Sequence, residues 1–593
     1  MTLSFASDRT ADLAQRMSRR GLLRGSAVIG TGLAAAALVG CSGTSKKPSV
    51  TTGLPQATPT GTSTPAAGRT GVPVVKGAPK NGGTWTESVA ETSPQQDMNT
   101  ATNQSIWQQI SERALAMDPW EGTVQPNIVE KWESPDSTHF ILHVRKGVKI
   151  HNKPPWNGRE FDAEDLAYNM NRMVGNTAQA EGLPKGAFPR ADSLPGLRTA
   201  EAVDKYTVRV TLDKPSFAFL TGLAEYRNVL MPKGIVEVGF KDPVKFAGVG
   251  AFQLVEFQPG IRESYTKFDG YYRSGEPHFD KFVRQVVPDR AARLAGFISK
   301  QFTTFPSPNL QDEKTAKTAR PDALVYSVPG SNWHNLRFNM KLATFTDFRV
   351  RKAFQLAVDY QEIGDGYYGP GWAYMMAFHP NYREAWPEGR VKTLPGYDPS
   401  AKAKDREEAQ KLLAAAGRTN GDGIAFDLML PSGSPSSDAF KENSLRFQAQ
   451  MHKLFTGMKI TIKPTSDFAS FAKLQSDKNF QMVAYSIVAI PDIAQEAYSQ
   501  YHSKGSRNYG AFENAEADAL IEKAQTELNP EARKQIFQTF QEKYQSQWQS
   551  MIQLYIPPSK SILQPNIAGY DKVVGPWGNG GPAERIGSYY SVE

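Results

Sequence analysis

The residues most able to do chemistry are scattered along the chain. The eight histidines are His139, His143, His151, His278, His334, His379, His452 and His502. None belongs to a His-Glu-x-x-His motif, and two histidines four apart on one face of a strand are more typical of surface or packing positions than of a zinc site. The carboxylate pairs Asp162/Asp165 and Glu407/Glu408 fit helix starts and solvated helix faces better than acid–base catalysis. These residues predict neither a catalytic centre nor a metal site.

Motifs that cradle phosphate or activate a nucleophile are also missing from the sequence. There is no Gly-Lys dipeptide, which excludes a Walker-type phosphate loop, and no Gly-x-Ser-x-Gly elbow. The glycine-rich stretches 248–250 and 366–371 lack the strand–GxGxxG–helix context and are predicted to be turns. Cys41 is the only cysteine, so thiol catalysis is excluded in the rest of the chain. Nothing in these residues demands an enzyme.

The N-terminal segment predicts export from the cytoplasm. A twin arginine, Arg19-Arg20, precedes the mildly apolar stretch 26–40. That stretch is about 15 residues long, whereas a bilayer span needs about 20 strongly apolar residues. The arrangement resembles a twin-arginine (Tat) signal peptide over residues 1–40, and Leu38-Val-Gly-Cys41 resembles the lipobox of bacterial lipoproteins. The resemblance implies cleavage before Cys41 and a diacylglyceryl group on its thiol. The alternative is a buried structural cysteine in an uncleaved anchor helix.

Residues 41–81 are predicted to be a lipidated cysteine followed by a disordered tether. From residue 42 to about 80 the sequence is rich in Ser, Thr, Pro, Gly, Ala and Lys and contains no aromatic or acidic residue. Such a segment cannot bury enough apolar surface to offset the entropy of ordering it. The tether would hold a folded part near a membrane while leaving it able to reorient.

Length, composition and element patterns define the class of the folded part. The 593 residues exceed what one compact core supports, so at least two lobes are expected. A formal charge of +8 is too dilute to predict nucleic-acid binding. Residues 138–144 and 206–212 are rich in β-branched and aromatic residues and predict strands, whereas Asp162 is typical of a helix N-cap. A helix over 399–416 would end at Gly417. Alternating strands and helices predict an α/β fold with more than one sheet.

Several segments in order resemble one known family. Phe140-Ile-Leu-His-Val-Arg-Lys-Gly-Val-Lys-Ile-His151 is the most recognisable of them. The others are residues 127–133, 161–166, 248–253, 338–340, 348–359 and 397–417. Each piece alone is weak, but the ordered set resembles the family 5 extracellular solute-binding proteins of ABC importers, the peptide- and nickel-binding type. The resemblance extends from about residue 82 to the C-terminus.

The resemblance implies a two-lobed, periplasmic-binding-protein-like α/β fold of the large class II type, with an extra subdomain in the first lobe. Lobe 1 would comprise residues 82–329 and 566–593, and lobe 2 would comprise residues 330–565. The two lobes would close on a ligand by a hinge motion, with the ligand stabilising the closed state through its differential affinity.

The implied function is that of a substrate-binding lipoprotein that captures a solute and delivers it to a membrane permease. The solute would be an oligopeptide or another small polar or amphipathic molecule. The expected partners are this solute, the ABC permease subunits and the membrane through the lipid anchor. We expect an extracytoplasmic monomer that requires no cofactor, metal or nucleic acid and is not an enzyme. The alternatives are a solute-binding sensory or scaffold lipoprotein and a hydrolase on the same fold.

The segment that would recognise a peptide departs from the family pattern. Peptide-binding members usually carry a Trp-x-x-Asp sequence whose acid pairs with the peptide amino group. In this sequence Ile487 lies near the tryptophan position and Ile490 near the aspartate position, while Asp492 matches a later landmark. A buried ammonium without a carboxylate would lose several kcal/mol of pairing. This favours a more apolar or neutral solute, although an alignment shift of one or two residues would restore the acid.

The candidate ligand contacts come from predicted loops and strand ends, and most are aromatic, because aromatic rings give large contact areas. The candidates are Trp107, Trp333, Asn335, Trp372, Tyr374, Tyr485 and Ile490. The alternative for each aromatic residue is a place in a hydrophobic core.

Overall fold

The computed structural model describes residues 73–592, except for 93–95, 101–105, 185–186, 189–190, 217, 307–308, 433–435, 528, 574 and 578–586. The predicted signal peptide, Cys41 and most of the predicted tether lie outside the described residues. Within the described part, no helix is both long and apolar enough to cross a membrane.

The described strands are β1 (Thr84–Val89), β2 (Leu115–Met117), β3 (Val124–Pro126), β4 (Val129–Asp136), β5 (His139–Val144), β6 (Leu197–Asp204), β7 (Thr207–Leu212), β8 (Phe252–Gln258), β9 (Arg262–Lys267), β10 (Lys281–Val286), β11 (Thr304–Pro306), β12 (Leu324–Pro329), β13 (Asn332–Phe338), β14 (Ala425–Leu430), β15 (Lys459–Pro464), β16 (Met482–Val488), β17 (Met551–Tyr555), β18 (Pro558–Leu563), β19 (Ile567–Ala568) and β20 (Tyr590–Ser591). The described α-helices are α1 (Trp107–Ile110), α2 (Ala163–Met173), α3 (Phe219–Leu223), α4 (Ile235–Val238), α5 (Arg290–Ile298), α6 (Leu310–Ala319), α7 (Ala343–Thr346), α8 (Phe348–Ala357), α9 (Tyr360–Tyr368), α10 (Glu388–Val391), α11 (Lys402–Ala415), α12 (Ser437–Leu454), α13 (Phe468–Ser476), α14 (Ile493–Tyr501), α15 (Ala515–Thr526) and α16 (Pro530–Lys543).

Lobe 1 is built on two of the sheets. A seven-stranded mixed sheet has the order β12-β18-β11-β1-β10-β9-β8, and a four-stranded antiparallel sheet has the order β4-β5-β7-β6. In β5 the buried residues alternate with more exposed ones, as expected for a sheet with one face on a core. Helix α2 contacts this smaller sheet and begins with a capping box in which Asp162 and Asp165 satisfy each other's backbone N–H groups. The four strands form a sheet of their own, separate from the seven-stranded one.

Lobe 2 is built on a five-stranded sheet of order β15-β14-β16-β13-β17. β13 lies between β16 and β17 and is antiparallel to both. Six of its seven residues are buried, which matches a strand that is covered on both faces. Helices α8 and α12 contact strands of this sheet, and α11 packs on α8.

The chain passes between the lobes at two short connections that lie side by side. Residues 330–331 join β12 to β13, and residues 556–557 join β17 to β18. The Gly330 N–H donates to the Pro557 carbonyl at 3.2 Å, and a Cβ atom at Gly330 would lie 2.5 Å from that oxygen. Only glycine therefore allows the two connections to approach this closely.

The second connection differs from the predicted boundary at residue 566. β18 hydrogen-bonds with β11 and β12, so residues 558–563 belong to the sheet of lobe 1 rather than to lobe 2. The sequence signal was ambiguous because β17 and β18 are separated by only two residues and form nearly one continuous run of strand residues.

Candidate functional site

A cleft of about 500 Å³ lies between the two lobes, and both lobes supply its walls. Lobe 1 contributes Asp192, Ser193, Ala218, Thr221, Gly222, Glu225 and Arg227. Lobe 2 contributes Phe468, Ala472, Gln475, Ser476, Tyr485, Ser486, Ile487, Val488, Ile490, Pro491, Asp492, Gln495, Ser499, Ser506, Arg507 and Tyr509. Its volume falls in the range of small-molecule binding sites.

The lobe-1 wall consists mainly of small and polar side chains. Ala191–Ser193 form a 3₁₀ turn, and α3 adds Thr221 and Gly222. A Cβ atom at Gly222 would lie 2.0 Å from the Ser193 carbonyl oxygen, so the close packing of these two segments requires glycine. The Glu225 carboxylate accepts from the Arg227 guanidinium at 2.7 Å. This wall therefore neutralises the charge of its own arginine.

The lobe-2 wall is more aromatic and aliphatic, and it follows the end of β16. The Ile490 N–H donates to Glu496 Oε2 at 3.1 Å, and the Ile490 carbonyl accepts from the Tyr382 hydroxyl. Burial raises the pKa of Glu496. The Tyr485 ring packs at 5.2 Å from the Phe471 ring. Backbone hydrogen bonds and ring contacts thus hold this wall in position.

Asp492 lies at the edge of the cleft with its carboxylate committed to the fold. One oxygen accepts from the Gln495 N–H at 2.9 Å and caps α14, and the other pairs with Arg533, which is also buried. Arg533 makes a second ion pair with Glu384 at 2.9 Å. A residue that caps a helix and neutralises a buried guanidinium has a structural role. Even if the alignment is shifted by two residues, so that Asp492 takes the family's aspartate position, its carboxylate is therefore already engaged within the protein.

Two hydrogen bonds join the lobes across the cleft, and both end on Asp192. Gln495 Nε2 donates to the Asp192 carbonyl at 3.1 Å, and Ser506 Oγ donates to the Asp192 carboxylate at 3.0 Å. The partners are more than 300 positions apart in the sequence. These bonds can form only when the two walls approach each other, so they are typical of a closed state.

Two of the predicted contact residues, Tyr485 and Ile490, line the cleft. The structure places the other five outside its lining. Trp107 is fully buried in lobe 1, where its ring stacks on Phe246 at 5.0 Å. Trp333 and Asn335 are buried on β13.

Trp372 and Tyr374 lie beside α9 in lobe 2. Trp372 Nε1 donates to the Asp365 carboxylate at 2.8 Å, and the two rings pack at 4.5 Å. These five side chains support the packing of the lobes, the alternative that holds for most large aromatic residues.

Sequence reasoning missed Asp192, Arg227 and Arg507. Each lies in a loop or beside a short element, and no local pattern marks them. Only their position on facing walls brings them together. Among the described residues, no group of three or more His, Cys, Asp or Glu side chains is placed to hold a metal ion.

The fold and the interlobe cleft define a two-lobed binding protein, and the comparisons with known proteins specify its family. The family model described as bacterial extracellular solute-binding proteins, family 5, matches residues 123–509. The chain therefore belongs to this extracellular family. It serves as the solute-binding component of an ABC importer.

Individual relatives agree with the family assignment. Heme-binding protein A of Haemophilus influenzae is 27% identical over 488 residues, which cover 78% of this chain and 84% of that protein. The dipeptide-binding protein of Escherichia coli is 29% identical over 378 residues, which cover 61% of this chain and 66% of that protein. The DppA periplasmic binding protein of Helicobacter pylori, solved with the peptide STSA, has a TM-score of 0.72 at 20% identity and covers 87% of this chain and 99% of its own. The structural likeness supports the two-lobed fold.

Proposed function

We propose that the interlobe cleft is the solute site and that the protein clasps its cargo there without altering it. The observation that carries this proposal is that both lobes line one cleft and are bonded across it through Asp192. The two short connections beside Gly330 form the hinge. A solute that contacts both walls stabilises the closed state by its differential affinity, which is the energy that drives closure.

The chemistry of the walls indicates the class of solute. Tyr485, Ile487 and Ile490 give the lobe-2 wall an apolar face of the kind that holds side chains or rings. The relatives named for binding haem and dipeptides bracket this range of cargo. With Ile490 near the expected acid position and Asp492 engaged by Arg533, the Ile490 loop offers no uncommitted carboxylate for a peptide ammonium. We therefore propose an amphipathic solute, either an oligopeptide or another small molecule.

The N-terminal sequence supports export and anchoring. We propose that residues 1–40 direct Tat export and that Cys41, after cleavage, carries the lipid that holds the protein at the outer face of the cytoplasmic membrane or in the periplasm. An anchor with several acyl chains binds a membrane far more firmly than a single chain does. Residues 42–81 would let the monomeric two-lobed part reach its permease.

Scattering and mass spectrometry test the clasp. Native mass spectrometry of freshly purified protein should detect a co-purified solute, and small-angle X-ray scattering should show a smaller radius of gyration with that solute than after its removal. Identical dimensions in the two states would argue against closure on a ligand. Reproducible conversion of the bound solute into product would instead favour the hydrolase alternative.

Membrane fractionation tests the anchor. Cys41→Ser should move the protein from the membrane fraction to the soluble fraction while solute binding stays unchanged. The matched control is Ser42→Ala, which should remain with the membrane. An unchanged distribution of Cys41→Ser would contradict lipidation.

A further inference from the structure

The guanidinium of Arg507 is a cationic group in the lobe-2 wall of the cleft. Its side chain is half-buried and lines the cavity beside Tyr485 and Tyr509. One guanidinium nitrogen, Nη1, donates to the Val488 carbonyl at 3.0 Å. A guanidinium has five N–H donors in a planar fork, so a single acceptor leaves most of them for other partners.

No carboxylate oxygen of the described residues lies within 4.0 Å of the Arg507 guanidinium, in contrast to Arg227 and Arg533. Arg227 on the opposite wall pairs with Glu225 at 2.7 Å, and Arg533 beneath the wall pairs with Asp492 and Glu384. Glu496 of the same lobe interacts electrostatically with Arg507, but its Oε2 accepts from the Ile490 N–H, and burial raises the pKa of its carboxyl group. Arg507 therefore brings to the cleft a guanidinium that has no carboxylate of the described residues within ion-pair distance.

The backbone of Arg507 is held in place from both sides. Its N–H donates to the Ser499 carbonyl at 2.9 Å, and its carbonyl accepts from the Arg337 guanidinium at 2.6 Å. Arg337 is itself buried and donates to Gln500 Oε1 at 2.7 Å. A side chain on so fixed a backbone loses less entropy when it binds a ligand, which is the arrangement that favours a recognition residue.

Contacts between the lobes do not supply a carboxylate partner for the Arg507 guanidinium. The carboxylate of Asp192 is the acidic group that reaches the lobe-2 wall, and it is engaged by the neighbouring Ser506 at 3.0 Å. The Asp192 carboxylate lies beyond 4.0 Å from Arg507, although the lobes are bonded together. The group that pairs with Arg507 must then come from what fills the cleft.

We infer that Arg507 binds an acidic group of the solute, so that the transported molecule is a carboxylic acid with an apolar or aromatic body. The guanidinium takes the carboxylate through charge-assisted hydrogen bonds, while the rings of Tyr485 and Tyr509 contact the apolar part. This inference rests on the proposed function, because it assumes that the cleft is the solute site. It adds that recognition starts from the acidic end of the cargo.

The inference is tested on the full mature protein by comparing the binding of carboxylic acids with the binding of the same molecules after their carboxylates have been converted to amides or esters. The first pair is a tetrapeptide library as free acids and the same library as C-terminal amides. The second pair is haemin and its dimethyl ester, and together the two pairs distinguish a peptide carboxylate from a porphyrin propionate. Binding is followed by native mass spectrometry and titration calorimetry. In at least one pair, we expect the acid to bind about 10- to 100-fold more tightly than its blocked form.

Variants then assign that difference to Arg507. Arg507→Gln should weaken acid binding about 10- to 100-fold and leave the acid and its blocked form nearly equal. Arg507→Lys, which keeps the charge but not the planar fork, should retain a preference for the acid. Arg383→Gln removes the same charge from an exposed pair with Glu531 and should bind like wild type. Because the acid and blocked forms are also compared on wild-type protein, the test does not depend on the folding of any variant.

Three results would overturn the inference. These are equal binding of both forms by wild type, a preference for the acid that survives in Arg507→Gln, and no binding of either acid. In the third case a neutral co-purified solute that compacts the protein would still support the proposed function. Absence of any ligand-linked compaction would instead count against the proposed function itself.

Discussion

Arg227 in the lobe-1 wall and Arg507 in the lobe-2 wall line the same cleft, yet among the described residues only Arg227 has a carboxylate within ion-pair distance, that of Glu225 at 2.7 Å. The lobe-1 wall is otherwise small and polar, and it reaches across the cleft through Asp192. The lobe-2 wall carries the rings, the rigid Ile490 loop and the unneutralised guanidinium. The difference indicates a division of labour, in which lobe 2 recognises the solute and lobe 1 closes over it.

Breaking the ion pairs beneath the two walls should give the largest effects. Arg533→Met leaves the buried carboxylate of Asp492 and the partly buried carboxylate of Glu384 without this guanidinium and should lower the free energy of unfolding by about 3–5 kcal/mol. Arg227→Met, at a side chain that is 17% exposed, should cost about 1–2 kcal/mol. Chemical denaturation measures both values.

The exposed pair Arg383–Glu531 provides the matched control for these two variants. Arg383→Met should change the free energy of unfolding by less than about 0.5 kcal/mol, because both of its side chains are mostly in solvent. Equal losses for Arg533→Met and Arg227→Met would show that the two walls are supported alike and would weaken the comparison.

Acid should destabilise both lobes. His151 in lobe 1 and His334 in lobe 2 are buried, and burial lowers the pKa of each to about 3. The unfolded chain then binds more protons below pH 6.5, so stability is present above that pH and is lost as the pH falls towards 3. Each histidine should cost about 2 kcal/mol of stability at pH 5.

Replacing either histidine by glutamine should reduce the slope of unfolding free energy against pH by about 1.4 kcal/mol per pH unit between pH 6 and 4. The loss of packing at neutral pH sets the baseline from which each slope is measured. A reduced slope for His151→Gln with none for His334→Gln would contradict a contribution of His334 and leave His379, whose pKa burial lowers to about 4, as the buried histidine that makes lobe 2 acid-sensitive.

The smallest effect is expected for the contacts between the walls. Asp192→Asn and Ser506→Ala each weaken one hydrogen bond across the cleft, whereas the Asp192 carbonyl still accepts from Gln495. We expect about a 3- to 10-fold loss of solute affinity, with unfolding of the solute-free protein unchanged. The co-purified solute serves as the ligand in calorimetry. A loss as large as that of Arg507→Gln would assign recognition to both walls and end the proposed division of labour.

Local elements of the fold were predictable from the sequence. The β-branched stretch around Phe140 forms β5, Asp162 caps α2, and Gly417 ends α11 with a positive φ of 71°. Each of these depends on residues within one or two turns of chain, which is the range over which propensity and capping act.

The candidate site was predictable only in part. Tyr485 and Ile490, predicted from loops and strand ends, line the cleft, but the predicted tryptophans lie in the packing of the lobes. A large aromatic ring has the same sequence signature in a core and in a ligand site. Asp192 and Ser506, which bond across the cleft, are 314 positions apart, and no local pattern links them.

The α/β class, the family resemblance, the lack of catalytic motifs and the predicted export signal could all be read from the sequence, because each depends on contiguous residues. The tertiary structure decided where the chain returns to lobe 1, which residues share the cleft, and that Asp492 is engaged by Arg533 whereas Arg507 has no carboxylate beside it. Pairing of charges depends on distances of a few ångströms between residues far apart in the chain, and only the folded arrangement sets those distances.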